Sequence, residues 1–281
     1  MNGIFLIDKE KEYTSRDVVN IIGRRFHTKK VGHAGTLDPF ATGLLIVTFN
    51  KGTKITSYLE GCTKTYVASL KLGYDTDTLD LMGNKTEEKD VPTLTKEDIE
   101  NVLKYFLGTY SQAVPKYSAV KFRGKELYKY ARNNIETPEL RRDIDILDIR
   151  LISFEDNVID FEVTCSKGTY IRQLGQDIAH KLNTCGHLIS LRRTRIGNFD
   201  VDQASKVKEV KEEDLISVTK ALSHMVVVRV EQSLETDIKN GKKVKLSVNE
   251  EIVFVINENE DPIAILEKVE ENIYRVKRGL F

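Results

Sequence analysis

The stretch KTYVASLKL (64–72) sets Tyr66, Ala68, Leu70 and Leu72 at every second position, a period that fits a β-strand with one buried face. Just before it, GLLIVTF (43–49) is a short apolar run and reads as a buried strand. Further on, IDILDIRLISF (144–154) and VIDFEVTC (158–165) are strand-like, with Phe161, Val163 and Cys165 alternating against Asp160, Glu162 and Thr164, and predict a hairpin or sheet pair. Segments of helical spacing lie between. Residues 15–26 carry Val18, Val19, Ile22 and Phe26 behind Thr14 and Ser15, both good N-cap residues. Residues 95–107 hold the clearest helix: Thr95 as cap, Asp98 three residues on, Ile99, Val102, Leu103, Phe106 and Leu107 on one face, and Gly108 just after. TYIRQLGQDIAHKL restores helical spacing through Ile171, Leu174, Ile178 and Leu182. A short helix is expected at 214–222. From there MVVVRVE, EIVFVIN, PIAILEKV and IYRVKRG turn to strand pattern, with turn residues at Asn257–Pro262, so domains of 1–222 and 223–281 are expected, the second small and β-rich.

A chain of 281 residues suits one large core and a smaller appended domain. No run approaches the roughly 18 apolar residues of a membrane span, and MNGIFLIDKE lacks the basic and apolar regions of a secretory signal, so the expected compartment is the cytoplasm. Cys62, Cys165 and Cys185 are widely spaced with no C-x-x-C pair, which argues against a disulfide framework and against a zinc site. A net charge of zero is awkward for a nucleic-acid binder, but the charge is segregated. Lys116, Lys121, Arg123, Lys125, Lys129, Arg132, Arg141 and Arg142 crowd residues 116–142, Arg192, Arg193 and Arg195 form a second basic knot, and acids collect at 75–100 and 209–214. Charge alone leaves open whether these are solvated faces or a nucleic-acid surface.

The stretch GHAGTLDPFATG (32–43) has three glycines and a proline in twelve residues and reads as a loop. Pro39 restricts Asp38 to extended backbone. Gly32 and Gly35 are expected to permit positive φ and close approach of a partner, with His33 between them. Composition alone leaves Asp38 open between a turn cap and a ligand-facing carboxylate.

GHAGTLDPFATGLL resembles the catalytic motif of the TruB family of tRNA pseudouridine synthases. Four more segments resemble that family in the same order: GIFLIDK with Ser15, KTYVASLKLGYDTDTLDLMG (64–83), VPKYSAVKFRGKELYKYAR (114–132), and CSKGTYIRQLGQDI with LRRTRIG (165–178 and 191–197). The resemblance covers residues 3–199. It implies an α+β pseudouridine-synthase fold, a mixed and mainly antiparallel sheet with flanking helices, plus a small C-terminal β-rich PUA-like domain. The chain departs from the family at Lys9-Glu10 and Glu12, where Lys-Pro and then Gly are usual, and at Phe40, where Leu is usual.

The implied reaction isomerises a T-loop uridine of tRNA: the N1–C1′ bond breaks, uracil turns, and C5 joins C1′. Nothing is oxidised, so no cofactor and no metal are expected. The resemblance assigns Asp38 as the carboxylate acting at the ribose, whether by addition to C1′ or by taking the C2′ proton. It assigns Arg172 as the cation that keeps Asp38 ionised and Tyr66 to stacking on uracil and assisting loss of the C5 proton. The target base must leave its stack, and His33 matches the family's wedge. Asp80 matches a residue that hydrogen-bonds near the flipped base. Lys64, Leu191 and Arg192 are carried over from the matched segments as further RNA contacts. Lys121, Arg123 and Lys125, interleaved with Tyr117, Phe122, Tyr128 and Tyr130, fit an RNA-gripping thumb at about 114–142.

Asp75, Asp77 and Asp80 do not make a calcium loop, since the fifth position falls on Leu79 and no glycine follows at the sixth. A glycosidase needs a second carboxylate about 5–10 Å from the first, and the Asp38 loop supplies none. A tRNA-folding chaperone without chemistry differs only in making no use of Asp38, Tyr66 and Arg172. A guide-RNA enzyme is disfavoured by the short C-terminal region, so the expected partner is tRNA alone, bound by a monomer.

Overall fold

The computed structural model describes residues 1–133 and 135–281. The chain runs β1 (Gly3–Lys9), α1 (Ser15–Arg25), β2 (Val31–His33), β3 (Thr42–Phe49), α2 (Thr56–Glu60), β4 (Lys64–Leu72), β5 (Tyr74–Thr76), β6 (Lys85–Glu88), α3 (Lys96–Tyr105), β7 (Gly108–Ala113), β8 (Lys121–Phe122), β9 (Lys125–Glu126), α4 (Leu127–Ala131), β10 (Arg141–Glu155), β11 (Val158–Cys165), α5 (Ile171–Lys181) and β12 (Gly186–Ile196). It continues with β13 (Phe199–Asp200), β14 (Ser205–Lys206), β15 (Ile216–Ser217), α6 (Val218–Ala221), β16 (Val227–Arg229), α7 (Gln232–Lys239), β17 (Val244–Lys245), β18 (Ile252–Ile256), β19 (Pro262–Glu270) and β20 (Ile273–Gly279).

The large sheet has the path β14-β1-β3-β12-β4-β11-β10-β7. Its pairs are antiparallel except β1 with β14 and β3 with β12, so it is mixed and mainly antiparallel. In β4 the apolar alternation aims Tyr66, Ala68, Leu70 and Leu72 at the core beneath α3 and α5. β1 and β3 carry apolar residues on both faces because both are covered. Phe5, Ile7, Leu45 and Val47 join that same core, while Ile4, Leu6, Leu44 and Ile46 pack on the reverse side against Phe254, Ile256, Ile265 and Leu280 of the C-terminal part. A second sheet, β16-β18-β19-β20-β17, carries α7. Among the described residues no helix is long and apolar enough to cross a membrane.

The caps read from the sequence hold. Thr14 with Asp17, and Thr95 with Asp98, form reciprocal capping boxes. Four expectations need correction. Leu107 is exposed, because the helix ends at Tyr105 and Gly108 turns the chain with a φ of 87°. The helix expected at 214–222 shrinks to Val218–Ala221, since Ile216 and Ser217 extend to pair with β1. Helix α7 interrupts the C-terminal strands. Finally, β2 takes Gly32 and His33 out of the loop and pairs them with Thr48 and Val47.

Glu12 has a φ of 72°, in the left-handed region, and its N–H donates to the Pro39 carbonyl at 2.9 Å. A residue with a Cβ is strained there by about 1–2 kcal/mol, while glycine is not. We therefore expect Glu12→Gly to stabilise the fold by about 0.5–1 kcal/mol, the relief less glycine's greater unfolded-state entropy. Urea unfolding reads this directly, and a lowered midpoint would show that Glu12 contributes more through its side chain than its backbone costs.

Candidate active site

Asp38 sits on the loop between β2 and β3, and that loop is fastened from several sides. The buried Ser15 hydroxyl accepts from the Leu37 N–H at 2.9 Å and donates to the Leu37 carbonyl at 3.2 Å, fixing the residue before Asp38. The Asp38 carbonyl accepts from the Ala41 N–H at 3.1 Å. Lys9, fully buried at the end of β1, donates from Nζ to the carbonyls of Glu10 (3.0 Å), Tyr13 (2.7 Å) and Pro39 (3.4 Å). The glycines that admit this packing are Gly35 (φ 93°) and Gly43 (φ 101°), not Gly32. A Cβ on Gly43 would lie 2.2 Å from the Arg193 carbonyl.

Arg172 reaches Asp38 from the first turn of α5. Its Nε is 2.8 Å from Asp38 Oδ2 and its Nη2 3.3 Å from Oδ1, a two-point pairing. The same guanidinium donates to the carbonyls of Thr78 (2.7 Å) and Tyr117 (3.1 Å), and Nη1 lies 3.6 Å from Asp80 Oδ2. Arg172 is therefore buried and fully used, while the Asp38 side chain keeps 34% of its surface open. Gln112, itself buried, accepts from the Tyr170 N–H at 2.8 Å and donates to the Tyr170 carbonyl at 3.1 Å. It sets the backbone from which Arg172 projects.

Two more cations underlie the loop. Arg193 is buried, donating from Nε to the Leu44 carbonyl (2.7 Å) and from Nη2 to the Gly35 carbonyl (3.1 Å). Lys64 donates to the carbonyls of Glu60 and Cys62. Burial, reinforced by the charge of Arg193, holds both Lys64 and Lys9 down to about 8, and Asp38 opposes the shift at Lys9. Asp38 is thus paired with Arg172, has Lys9 nearby, and keeps one open edge. Tyr66 faces this site from β4; burial raises its phenol pKa, with Arg193 opposing and Asp38 adding to the rise. His33 has a buried Nδ1 with no hydrogen-bond partner among the described residues. Burial, then Arg193 and Arg16, lower its proton affinity and favour the neutral ring.

Asp38, Arg172, Tyr66 and Asp80 lie together in the structure; Asp80, expected to hydrogen-bond near a flipped base, instead faces Arg172 and accepts from Thr78 Oγ1 (2.7 Å) and the Met82 N–H (3.0 Å). The second carboxylate absent from the Asp38 loop is thus brought in from afar, but it is buried and spent on Arg172. The basic knot does not exist as one surface. On β12 Leu191 is core, Arg192 pairs with Asp8 at 3.0 Å, Arg193 points inward, and Arg195 pairs with Asp200 at 3.3 Å. Lys121, Arg123 and Lys125 stand away from this pairing on the β8–β9 hairpin, whose two-residue turn has Arg123 at φ 49° and Gly124 at φ 81°. Arg123 lies over Phe122 and Lys125 over Tyr130, each 5.2 Å from the ring centre. Lys9, Arg193 and Gln112 were missed as site residues. Their partners are backbone groups, which no side-chain pattern announces.

Residues 24–171 match the model of the TruB family pseudouridylate synthase (N terminal domain), and residues 172–234 that of the tRNA pseudouridylate synthase B C-terminal domain. The chain is 38% identical over 279 residues to a tRNA pseudouridine synthase B of Mesoplasma florum, covering 99% of this chain and 98% of that one. It is 43% identical over 249 residues to a protein of the same name from Clostridium perfringens, covering 87% and 85%. Among solved structures it is similar to a chain of a Cbf5-Nop10-Gar1 complex, with a TM-score of 0.77 at 24% identity over 99% of this chain and 85% of that one, a likeness of fold. Fold, site and sequence agree: the chain belongs to the TruB family of pseudouridylate synthases.

Proposed function

We propose that this enzyme converts a uridine in the T-loop of tRNA to pseudouridine, with Asp38 reacting at the ribose of the flipped nucleotide. The observation that carries this reading is the Asp38–Arg172 pair: a carboxylate held at both oxygens by a buried guanidinium, with one open edge. The guanidinium holds both carboxylate oxygens in place and sets a positive charge against them, and either addition to C1′ or removal of the C2′ proton uses a carboxylate so oriented. Uracil leaves and returns through C5 with no change of oxidation state, so this chain needs no redox partner.

The buried phenol of Tyr66 stays protonated, which suits it to stack on the detached uracil rather than to act as a phenolate. A neutral His33 ring at the loop's edge suits insertion into the space a flipped base leaves. Asp80 and Lys64 act behind the site, through Arg172 and through the loop. Leu191 shapes its floor, and Arg192 reaches RNA only by sharing or releasing Asp8. The thumb grips the T-arm, residues 223–281 form a small PUA-like RNA-binding domain beside the catalytic domain 1–222, and the enzyme works in the cytoplasm as a monomer without guide RNA.

The test is single-turnover pseudouridine formation in an unmodified tRNA transcript, mapped by position. A modified T-loop uridine is the expected result. Binding without any pseudouridine would leave a tRNA-folding chaperone as the better reading. The same substrate tests the thumb. Neutralising Lys121, Arg123 and Lys125 together should weaken tRNA binding and flatten the slope of log affinity against log salt by about 2–3, at roughly 0.7–0.9 per lost phosphate contact. An unchanged slope would remove this hairpin from the RNA interface.

A further inference from the structure

We propose that Asp75, His180 and Cys185 form a binding site for a divalent transition-metal cation, zinc foremost. The three residues lie far from Asp38 in the sequence and serve no step of the reaction above. Each offers one donor atom, and the carboxylate oxygen, imidazole nitrogen and thiol sulfur all lie within 4.8 Å of one another. Asp75 Oδ2 is 2.8 Å from His180 Nε2. Oxygen, nitrogen and sulfur around one point form a donor set that zinc takes at about 2.0–2.3 Å, and tetrahedral bonds of that length put ligand atoms roughly 3.4–3.7 Å apart. The three atoms therefore need move only by about an ångström.

The surroundings resemble those of a metal ligand more than those of a chance cluster. Asp75 is buried, and its carboxylate is aimed by two donors besides His180: the Gly186 N–H to Oδ1 at 2.7 Å and Gln176 Nε2 to Oδ2 at 2.7 Å. Such outer hydrogen bonds orient ligating carboxylates. Cys185 is buried, while the His180 side chain is 49% exposed and gives a cation its way in. On binding, Cys185 loses its proton to solvent, and His180 carries its hydrogen on Nδ1 and turns Nε2 from Asp75 to the cation. The thiolate and carboxylate then balance a doubly charged ion. The spacing His180-x4-Cys185 with a distant Asp75 is not a C-x-x-C signature, which is why a search for paired cysteines passes over it.

The position gives the site its consequence. Helix α5 carries Arg172 in its first turn and His180 in its last, and Asp75 on β5 is followed by Thr78 and Asp80, which grip Arg172. A cation would join, roughly 12 Å along the helix from Arg172, the two elements that meet there. Its role is to stabilise that junction.

The test titrates the purified full chain with cobalt(II), then with zinc. Wild type should take up one cobalt ion with a thiolate-to-cobalt charge-transfer band and the visible bands of a four-coordinate ion. Zinc should displace it and raise the thermal midpoint. Cys185→Ser should abolish the charge-transfer band, and His180→Gln should weaken cobalt binding at least tenfold, both with the far-ultraviolet spectrum of wild type. Absence of the band in wild type, or its survival in Cys185→Ser, would overturn the proposal and leave Asp75 as a clamp between β12 and α5.

Discussion

Asp38→Asn should bind tRNA within about tenfold of wild type, about 1.4 kcal/mol, and make pseudouridine at less than about one hundredth of its rate, a barrier increase above roughly 2.7 kcal/mol. The loop has no reason to move. Ser15 holds Leu37, Lys9 holds Pro39, and Arg193 holds Gly35, all through backbone groups that the substitution leaves alone. What changes is one face of the carboxylate. An amide oxygen can still accept from Arg172, but the NH2 group meets a second guanidinium N–H, donor against donor, so a modest stability loss of about 1–3 kcal/mol accompanies the lost chemistry. No other carboxylate can take over, because Asp80 is buried against Arg172 and Thr78. The measurement pairs single-turnover formation of pseudouridine with a binding isotherm and a denaturation curve for the same protein. A rate above one hundredth of wild type, with the fold intact, would mean that Asp38 positions the substrate and another group reacts.

Arg172→Met should be the most damaging substitution to the fold. It removes the partner of two carboxylates and leaves the carbonyls of Thr78 and Tyr117 without their donor. Breaking a buried pair on one side typically costs about 3–5 kcal/mol, and turnover should fall to background. Arg172→Lys keeps the charge but offers one ammonium where a planar fork spans Asp38, Thr78 and Tyr117. Its stability should fall by less than half as much as that of Arg172→Met, and its rate should drop more than its tRNA affinity. If the methionine variant unfolds within about 1 kcal/mol of wild type in urea, the guanidinium is not the tie that its hydrogen bonds describe.

The elements that were legible in the sequence are those whose information is local. α1 and α3 announce themselves by caps and by a stripe of apolar residues, and β4 by strict alternation. Asp38 and Arg172 were singled out through a motif, and the structure pairs them. Charge alone would have left Arg172 on a helix surface, since nothing within its own segment shows that Thr78, Tyr117 and Asp38 converge on it from 55 to 134 residues away. Arg193 was misplaced among surface arginines because its charge outweighed its place two residues after the buried Leu191, and the carbonyls of Leu44 and Gly35 that receive it come from distant segments. Lys9 closes a run of apolar strand residues, where a lysine reads as the point at which the chain reaches water. In the fold its ammonium instead finds three carbonyls. Helix α7 was lost among strands because its apolar residues are few and its neighbours are strongly β.

The sheet that presents Asp38 shares part of its back surface with the C-terminal strands. Ile4, Leu6, Leu44 and Ile46 belong to the two strands that lead into the Lys9 loop and out of the Asp38 loop, and Phe254, Ile256, Ile265 and Leu280 complete a cluster around them that Ile55, Leu59 and Leu222 begin. The two parts of the chain thus share one buried cluster, and we expect their melting to be coupled. A lesion among the buried residues of the last thirty would reach Asp38 by loosening the far side of the strands that hold its loop, and would be read in a cell as a failing synthase whose Asp38 loop is unchanged.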